Sequence, residues 1–226
     1  MVLSIVLLSL LAGCAWIALS IVQWQQARQQ HGYAFLPEWL VQSAPTFGIP
    51  VEADFATWLA AEQHQAQAQA YAAFLKTYDV DQVLDLPNLL SSARDWQKCQ
   101  SSPFIVPPPE KWQNMVNTLK LLRQLQQQQL LPAFSVTSSF RYPELNRCAG
   151  GSAKSKHLTN GALDLRFQDP ASAAKTFAAL CQFWQQQGAK QAMGLGFYPG
   201  GQIHIDTQGF RTWGQDYTAK SSPCHL

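Results

Sequence analysis

Three short stretches in the carboxy-terminal half alternate apolar and polar residues with the two-residue period of a β-strand. Phe134 to Phe140 sets Phe134, Val136, Ser138 and Phe140 against Ser135, Thr137, Ser139 and Arg141. Ala162 to Phe167 sets Leu163, Leu165 and Phe167 against Ala162, Asp164 and Arg166, and Gln202 to Thr207 turns Ile203 and Ile205 away from His204. Two neighbouring stretches have helical period instead. Glu110 to Leu130 carries Trp112, Met115, Val116, Leu119, Leu122 and Leu125 as one stripe, and Ala171 to Gln187 is a helix closed by Gly188. Strands mixed with helices in no regular alternation predict an α+β domain, a small and mainly antiparallel sheet flanked by helices.

Upstream the pattern is helical. Asp54 to Tyr78, rich in Ala and Gln, spaces Trp58, Leu59, Tyr71, Phe74 and Leu75 as a helix does, and Asn88 to Trp96 reads as a second, short helix. Pro103, Pro107, Pro108 and Pro109 then interrupt any regular element. The chain of 226 residues therefore divides into a hydrophobic leader at 1–22, a helical extension at 23–106 and a main domain at 107–226. A hydrophobic share of 47% suffices for a core, and a net charge of +2 is too small to gather a polyanion, so nucleic acid is excluded as a partner. For residues 31–105 three roles stay open: binding a protein partner of unknown kind, limiting access to a cleft, or serving as a stalk.

Met1 to Val22 contains no charged side chain and is long enough to cross a bilayer, which takes ~20 helical residues. Three readings stay open: an uncleaved anchor helix, a lipoprotein signal in which Leu11, Ala12, Gly13 and Cys14 resemble a lipobox, and a buried helix of the fold. The first two tether the body to a membrane outside the cytoplasm, on the periplasmic or cell-envelope side. Cys99, Cys148, Cys181 and Cys224 form an even set in such a chain and favour two disulfides of unstated pairing, although Cys181 also falls on an apolar helix stripe.

The chemistry concentrates in three residues. Asp164 follows His157 by seven positions, and a turn at Asn160 and Gly161 before the strand would bring it back beside that histidine. His204 lies on the polar face of another strand, with Asp206. Two imidazoles and one carboxylate, with a fourth position open, suit a catalytic zinc. Any one of these residues taken alone reads as structural; the surrounding sequence gives the set its weight.

That sequence is SSFRYPELNRCAGGSAKSKHLTNGALD at Ser138 to Asp164 and GLGFYPGGQIHIDTQGFRTW at Gly194 to Trp213. Both blocks resemble the bacterial zinc D-alanyl-D-alanine metallopeptidases, the murein carboxypeptidase and endopeptidase family whose fold is shared with the hedgehog signalling domain. The resemblance covers roughly the carboxy-terminal half. It implies zinc as cofactor, His157, Asp164 and His204 as ligands, Arg141 as receiver of a substrate carboxylate, Ser155 near the bound peptide, and peptidoglycan stem peptides as substrate.

Two departures stand out. Asn160 occupies the family's glycine position after the first ligand, and asparagine is the non-glycine residue that best tolerates positive φ. Gly201 stands where many members carry an acidic general base three residues before the last histidine. Asp206 is then the candidate base, some ~6.5 Å along the strand from His204, with a supporting role behind a ligand as its alternative and Glu144 a distant third. Gly201 also motivates a second function, a peptidoglycan-binding module that keeps the fold without cutting, and a third reading is hydrolysis of other peptides.

Overall fold

The computed structural model describes residues 52–169 and 173–225, so the readings of the leader at 1–22 and of the extension from 23 to 51 lie outside the described residues. Among the described residues no helix is long and apolar enough to cross a membrane.

Five strands form one sheet: β1 Phe134–Ser138, β2 Ala162–Phe167, β3 Gly194–Tyr198, β4 Gln202–Asp206 and β5 Arg211–Trp213. Their order across it is β1-β2-β4-β3-β5, antiparallel throughout except for the parallel pair β3 and β5. The α+β class with a mainly antiparallel sheet is therefore the observed one.

One face of the sheet is apolar. Leu163, Leu165, Leu195, Phe197, Ile203 and Ile205 are all fully buried there, together with Met115, Leu119 and Leu122 of helix α4 (Trp112–Gln127) and Phe177 and Leu180 of α6 (Ala173–Phe183). Phe177 meets Phe197 edge-on at 5.0 Å, and Gln124 of α4 bonds Gln187 just beyond α6. Burying each such side chain contributes roughly 1.5–3 kcal/mol, and every apolar residue committed to that face leaves its alternate neighbour on the other one.

The upstream helices differ from the sequence reading in two places. The helix at 54–78 is two helices, α1 Glu52–Leu59 and α2 Glu62–Lys76, because Ala61 is extended at φ −67° and ψ 122°. The ring of His64 stacks on Trp58 at 4.3 Å and its Nδ1 donates to the Trp58 carbonyl, which closes the corner. The next helix, α3, covers only Leu86–Leu90, where Asp85 caps the Asn88 amide. Beyond it the chain doubles back on itself: Ser91 bridges to Phe104, and the amides of Ser92 and Ile105 donate to Pro103 and Leu90.

This strap lies along the edge of β1. Asn88 accepts from the Val136 amide, Ser138 Oγ donates to the Ser92 carbonyl, and the Ser139 amide donates to the Ser91 carbonyl at 2.7 Å. Tyr71 of α2 takes a hydrogen bond from Asn160, and Cys99 is bridged to Cys148 at the end of α5 (Pro143–Cys148). All described residues belong to one compact unit spanning Pro37–Leu226. Position 107 therefore marks no division between units, and residues 52–106 are packed into the same body as the sheet. A second disulfide joins Cys181 of α6 to Cys224, so Cys181 is a bridged residue and not merely a core one.

Candidate metal centre

The polar face of the sheet carries three rows of cross-strand neighbours. The middle row runs Ser138, Asp164, His204, Gly196, Trp213 across all five strands. One pleat repeat to one side lie Ala162, Asp206, Gly194 and Arg211, and to the other Arg166, Gln202 and Tyr198. Register alone thus places Asp164 directly opposite His204.

His157 joins them from outside the sheet. It sits in a short 3-10 turn, Lys156–Thr159, where Ser155 Oγ accepts from the His157 amide. Asn160 closes the turn in the left-handed region at φ 56°, and the Gly161 amide donates back to Lys156. The side chain of Asn160 is anchored on Tyr71 and on the Lys111 carbonyl, which holds an uncommon backbone conformation in place. The turn returns the chain into β2, and Asp164 arrives beside His157.

The three side chains converge: one ligand atom from each of His157, Asp164 and His204 lies within 4.8 Å of the others, and all three residues are buried. Asp164 Oδ1 is 3.1 Å from His157 Nε2 and 2.9 Å from His204 Nδ1. The far nitrogen of each ring is already occupied. His157 Nδ1 lies 2.5 Å from the Ser139 carbonyl and His204 Nε2 lies 3.0 Å from Asp206 Oδ2. Both partners only accept, so those nitrogens carry protons, and each ring in its neutral form turns a lone pair toward Asp164. Two lone pairs and a carboxylate facing one point repel one another unless a cation sits between them. The donor set therefore fits a divalent metal, and its nitrogen and oxygen ligands suit zinc.

The surrounding charges act on the three groups in different directions. Burial pushes His157 down to about 4, with the Arg141 guanidinium adding to the effect, so the ring stays neutral near pH 7. Burial alone would raise Asp164, but His157, His204 and Arg141 hold it well below the usual carboxylate range. Burial would lower His204, and its bonds to Asp164 and Asp206 outweigh that and raise it.

Asp206 stands behind His204. It is 0% exposed and accepts from His204 Nε2, from Arg211 Nη2 at 2.6 Å, from Arg211 Nη1 at 3.1 Å and from the Gln208 amide at 2.8 Å. These bonds outweigh burial and hold it down at about 2. The geometry favours the supporting role over that of general base: the Asp206 carboxylate meets the nitrogen of the His204 ring away from Asp164, and Asp206 is not part of the cleft wall. That is the place of a group that fixes the tautomer of a ligand histidine. Glu144 is exposed on α5 and lies outside the cleft wall.

Arg141 also has a different first duty. Its Nε donates to Ser138 Oγ at 2.7 Å and its Nη2 to Asp164 Oδ2 at 2.6 Å, so one of its three nitrogens anchors the carboxylate ligand and a second is held by Ser138. Only Nη1 has no partner among the described residues, which leaves Arg141 one donor for a substrate group.

The centre opens into a cleft of about 530 Å³ whose wall includes Arg141, Ser155, Tyr198 and Trp213. Two glycines of β3 leave room for side chains of this wall, a role the sequence reading missed. A Cβ on Gly196 would overlap the Trp213 indole, and one on Gly194 would overlap the Asp206 carboxylate and Arg211. With glycine there, Trp213 lies 5.1 Å from the His204 ring and donates its Nε1–H to the Tyr198 hydroxyl at 3.3 Å. Matching the alternation Gly194, Gly196 to that of Arg211, Trp213 is the signal that would have revealed it. No carboxylate other than Asp164 lines the cleft among the described residues.

No curated protein and no solved structure matches the chain. A family model described as Peptidase M15 matches residues 65–206, well over half the chain. That span starts in α2, within the segment now seen to brace β1 and Asn160, and it closes on Asp206 behind the last ligand. Fold, ligand set and family match agree, and the chain belongs to the peptidase M15 family, the zinc D-alanyl-D-alanine metallopeptidases.

Proposed function

We propose that the protein is a zinc-dependent hydrolase of peptide bonds in peptidoglycan stem peptides, acting as a D-alanyl-D-alanine carboxypeptidase or as a murein endopeptidase. The observation that carries this reading is the convergence of His157 Nε2, Asp164 Oδ1 and His204 Nδ1 at the floor of a cleft, in a chain of the M15 peptidase family. Zinc held there would polarise a scissile carbonyl and make water a nucleophile near neutral pH.

The protein's own groups supply the rest. Ser139 and Asp206 fix the tautomers of the two ligand rings, and Arg141 keeps Asp164 ionised. Trp213 donates to the Tyr198 oxygen, which leaves the phenolic proton for a substrate oxygen; burial raises the Tyr198 pKa, so that proton stays in place at neutral pH. Arg141 Nη1 and Ser155 flank the same space as donors for a peptide carboxylate or carbonyl. Two disulfides accord with an oxidising compartment such as the periplasm, where a chain tethered through its amino terminus would meet this substrate.

Purified sacculi incubated with the protein, with and without chelator, test the proposal. Release of D-alanine or of cleaved crosslinks that stops on chelation supports it. One observation favours a second reading: with Asp164 the only carboxylate of the cleft among the described residues, the protein would be a binding module that retains the fold. Sacculi that retain the protein yet yield no fragments would establish that alternative.

A further inference from the structure

The turn that carries His157 is held from outside by two different segments of the chain. Asn114 and Thr118 of α4 donate to the carbonyls of Thr159 and Gly161, at 2.8 and 2.7 Å. Asn160, between those two carbonyls, is held by its side chain: Nδ2 donates to the Tyr71 hydroxyl at 3.1 Å and to the Lys111 carbonyl at 3.3 Å. Its Oδ1 is buried and has no partner among the described residues, so the amide is held through its nitrogen alone, with the Tyr71 bond the shorter of the two. Of these anchors Tyr71, on α2, comes from upstream of the prolines at 107–109.

The course of the turn is decided at Asn160. Its φ of 56° is a conformation that asparagine enters more readily than other side-chain-bearing residues, though still at a cost. With that angle the Asn160 amide donates to the His157 carbonyl at 3.3 Å and the Gly161 amide to the Lys156 carbonyl at 3.0 Å, and the chain reverses into β2. The reversal brings Asp164 Oδ1 to 3.1 Å from His157 Nε2. Tyr71 is a firm anchor for it. The residue is 0% exposed and packs on Trp112 at 5.2 Å, and the Trp112 indole in turn donates to the Pro107 carbonyl at 2.7 Å.

We infer that Tyr71 is a positioning residue of the metal centre: its hydroxyl fixes Asn160, Asn160 fixes the reversal after His157, and the reversal sets His157 against Asp164 and His204. The inference rests on the reading of those three residues as metal ligands. Tyr71 is no part of the cleft wall, so it acts on the centre from behind, through Asn160. Helix α2 thereby has a task that stalk, access barrier and partner surface do not describe, that of completing the ligand set. A metal-free chain whose turn leaves this conformation spends part of its time without His157 in place, and its apparent affinity for zinc falls by that fraction.

The test is a zinc titration against a competing chelator on the full-length chain, for the wild type, Tyr71→Phe, Asn160→Gly and the double variant, with a thermal melt of each metal-free protein. Tyr71→Phe keeps the packed ring and removes only the hydroxyl. It is expected to weaken zinc binding about 3- to 10-fold, the worth of one buried hydrogen bond. Glycine enters positive φ without steric cost and needs no anchor, so Asn160→Gly is expected to stay within a few-fold of the wild type. In that background Tyr71→Phe should change zinc affinity by less than about twofold, the margin within which uncoupled changes add. A lower melting midpoint for Tyr71→Phe in both backgrounds with zinc affinity unchanged marks a purely structural role and overturns the inference. So does an equal loss of zinc affinity in both backgrounds, or the loss of zinc binding by Asn160→Gly alone, either of which removes Asn160 as the intermediary. A wild type that binds no zinc overturns the metal centre and the inference with it; a wild type that binds zinc beside an unchanged Tyr71→Phe overturns the role of Tyr71 alone.

Discussion

Replacing Asp206 by Asn removes one charge and changes almost no volume, yet the hydrogen-bond pattern cannot survive it. The carboxylate accepts four N–H groups, from His204, Gln208 and twice from Arg211. An asparagine offers one oxygen and one donor nitrogen. If its oxygen stays toward Gln208 and Arg211 Nη1, its nitrogen faces His204 Nε2, which must then lose its proton and accept. The ring proton moves to Nδ1, the atom that faces Asp164, and the lone pair is lost to the metal. Turning the amide the other way leaves its NH2 against the Gln208 amide and Arg211. The lost charge-assisted bond is worth about 1.5–3 kcal/mol, which corresponds to roughly 10- to 100-fold in zinc affinity. Zinc titration against a competing chelator measures that change, and turnover at saturating zinc should return to within a few-fold of wild type. Unchanged zinc affinity together with a loss of activity of about two to four orders of magnitude, the signature of a missing general base, would refute the assignment of Asp206 behind the ligand.

Gly196→Ala places a methyl group against the Trp213 indole, and overpacking of this kind costs about 1–3 kcal/mol; a thermal melt should show the loss, and intrinsic fluorescence should report a displaced Trp213. The paired change Cys99→Ser with Cys148→Ser opens a loop with a sequence separation of 49 residues, worth about 4 kcal/mol in the chain-entropy account, and a fall in the melting midpoint of roughly 10 °C is expected in denaturation assays. In the metal-free protein His157 is held down at about 4, so between the unfolded value near ~6.5 and pH 4 the unfolded chain binds the extra proton. Stability should fall as pH is lowered through that window, by at most about 1.4 kcal/mol per pH unit; the raised His204 acts above it, its contribution being already present below ~6.5, so denaturant midpoints that rise from pH 6.5 to 4 would contradict the burial of a neutral His157.

Much of the site was legible because one face of the sheet is committed to the core. In β2 and β4 every second residue is a large aliphatic or aromatic one, so Asp164, His204 and Asp206 had to share the opposite face. The turn at Asn160 and Gly161 was legible from the tolerance of asparagine for positive φ. The strand β3 was not, since Gly194 and Gly196 occupy the polar positions and glycine in a strand reads as a break until the side chains it accommodates are known. The role of Asp206 was legible only to the level of its face; which imidazole nitrogen points where is a property of three dimensions. The bond from Asn160 to Tyr71 was out of reach, because it spans 89 positions of sequence and Tyr71 belongs to a segment that the prolines disguise as lying beyond a domain boundary. That misreading of residues 52–106 has one physical source: their apolar residues pack on the sheet's edge and turns, contacts that no local period records.

The ligand set is tested most directly by metal stoichiometry. Elemental analysis of the purified protein after loading with zinc and removal of excess should give one zinc per chain for the wild type and essentially none for His157→Ala, whose remaining Asp164 and His204 cannot hold a metal against a competing chelator. Full zinc occupancy in His157→Ala, or none in the wild type, would contradict the assignment of His157, Asp164 and His204 as a metal centre.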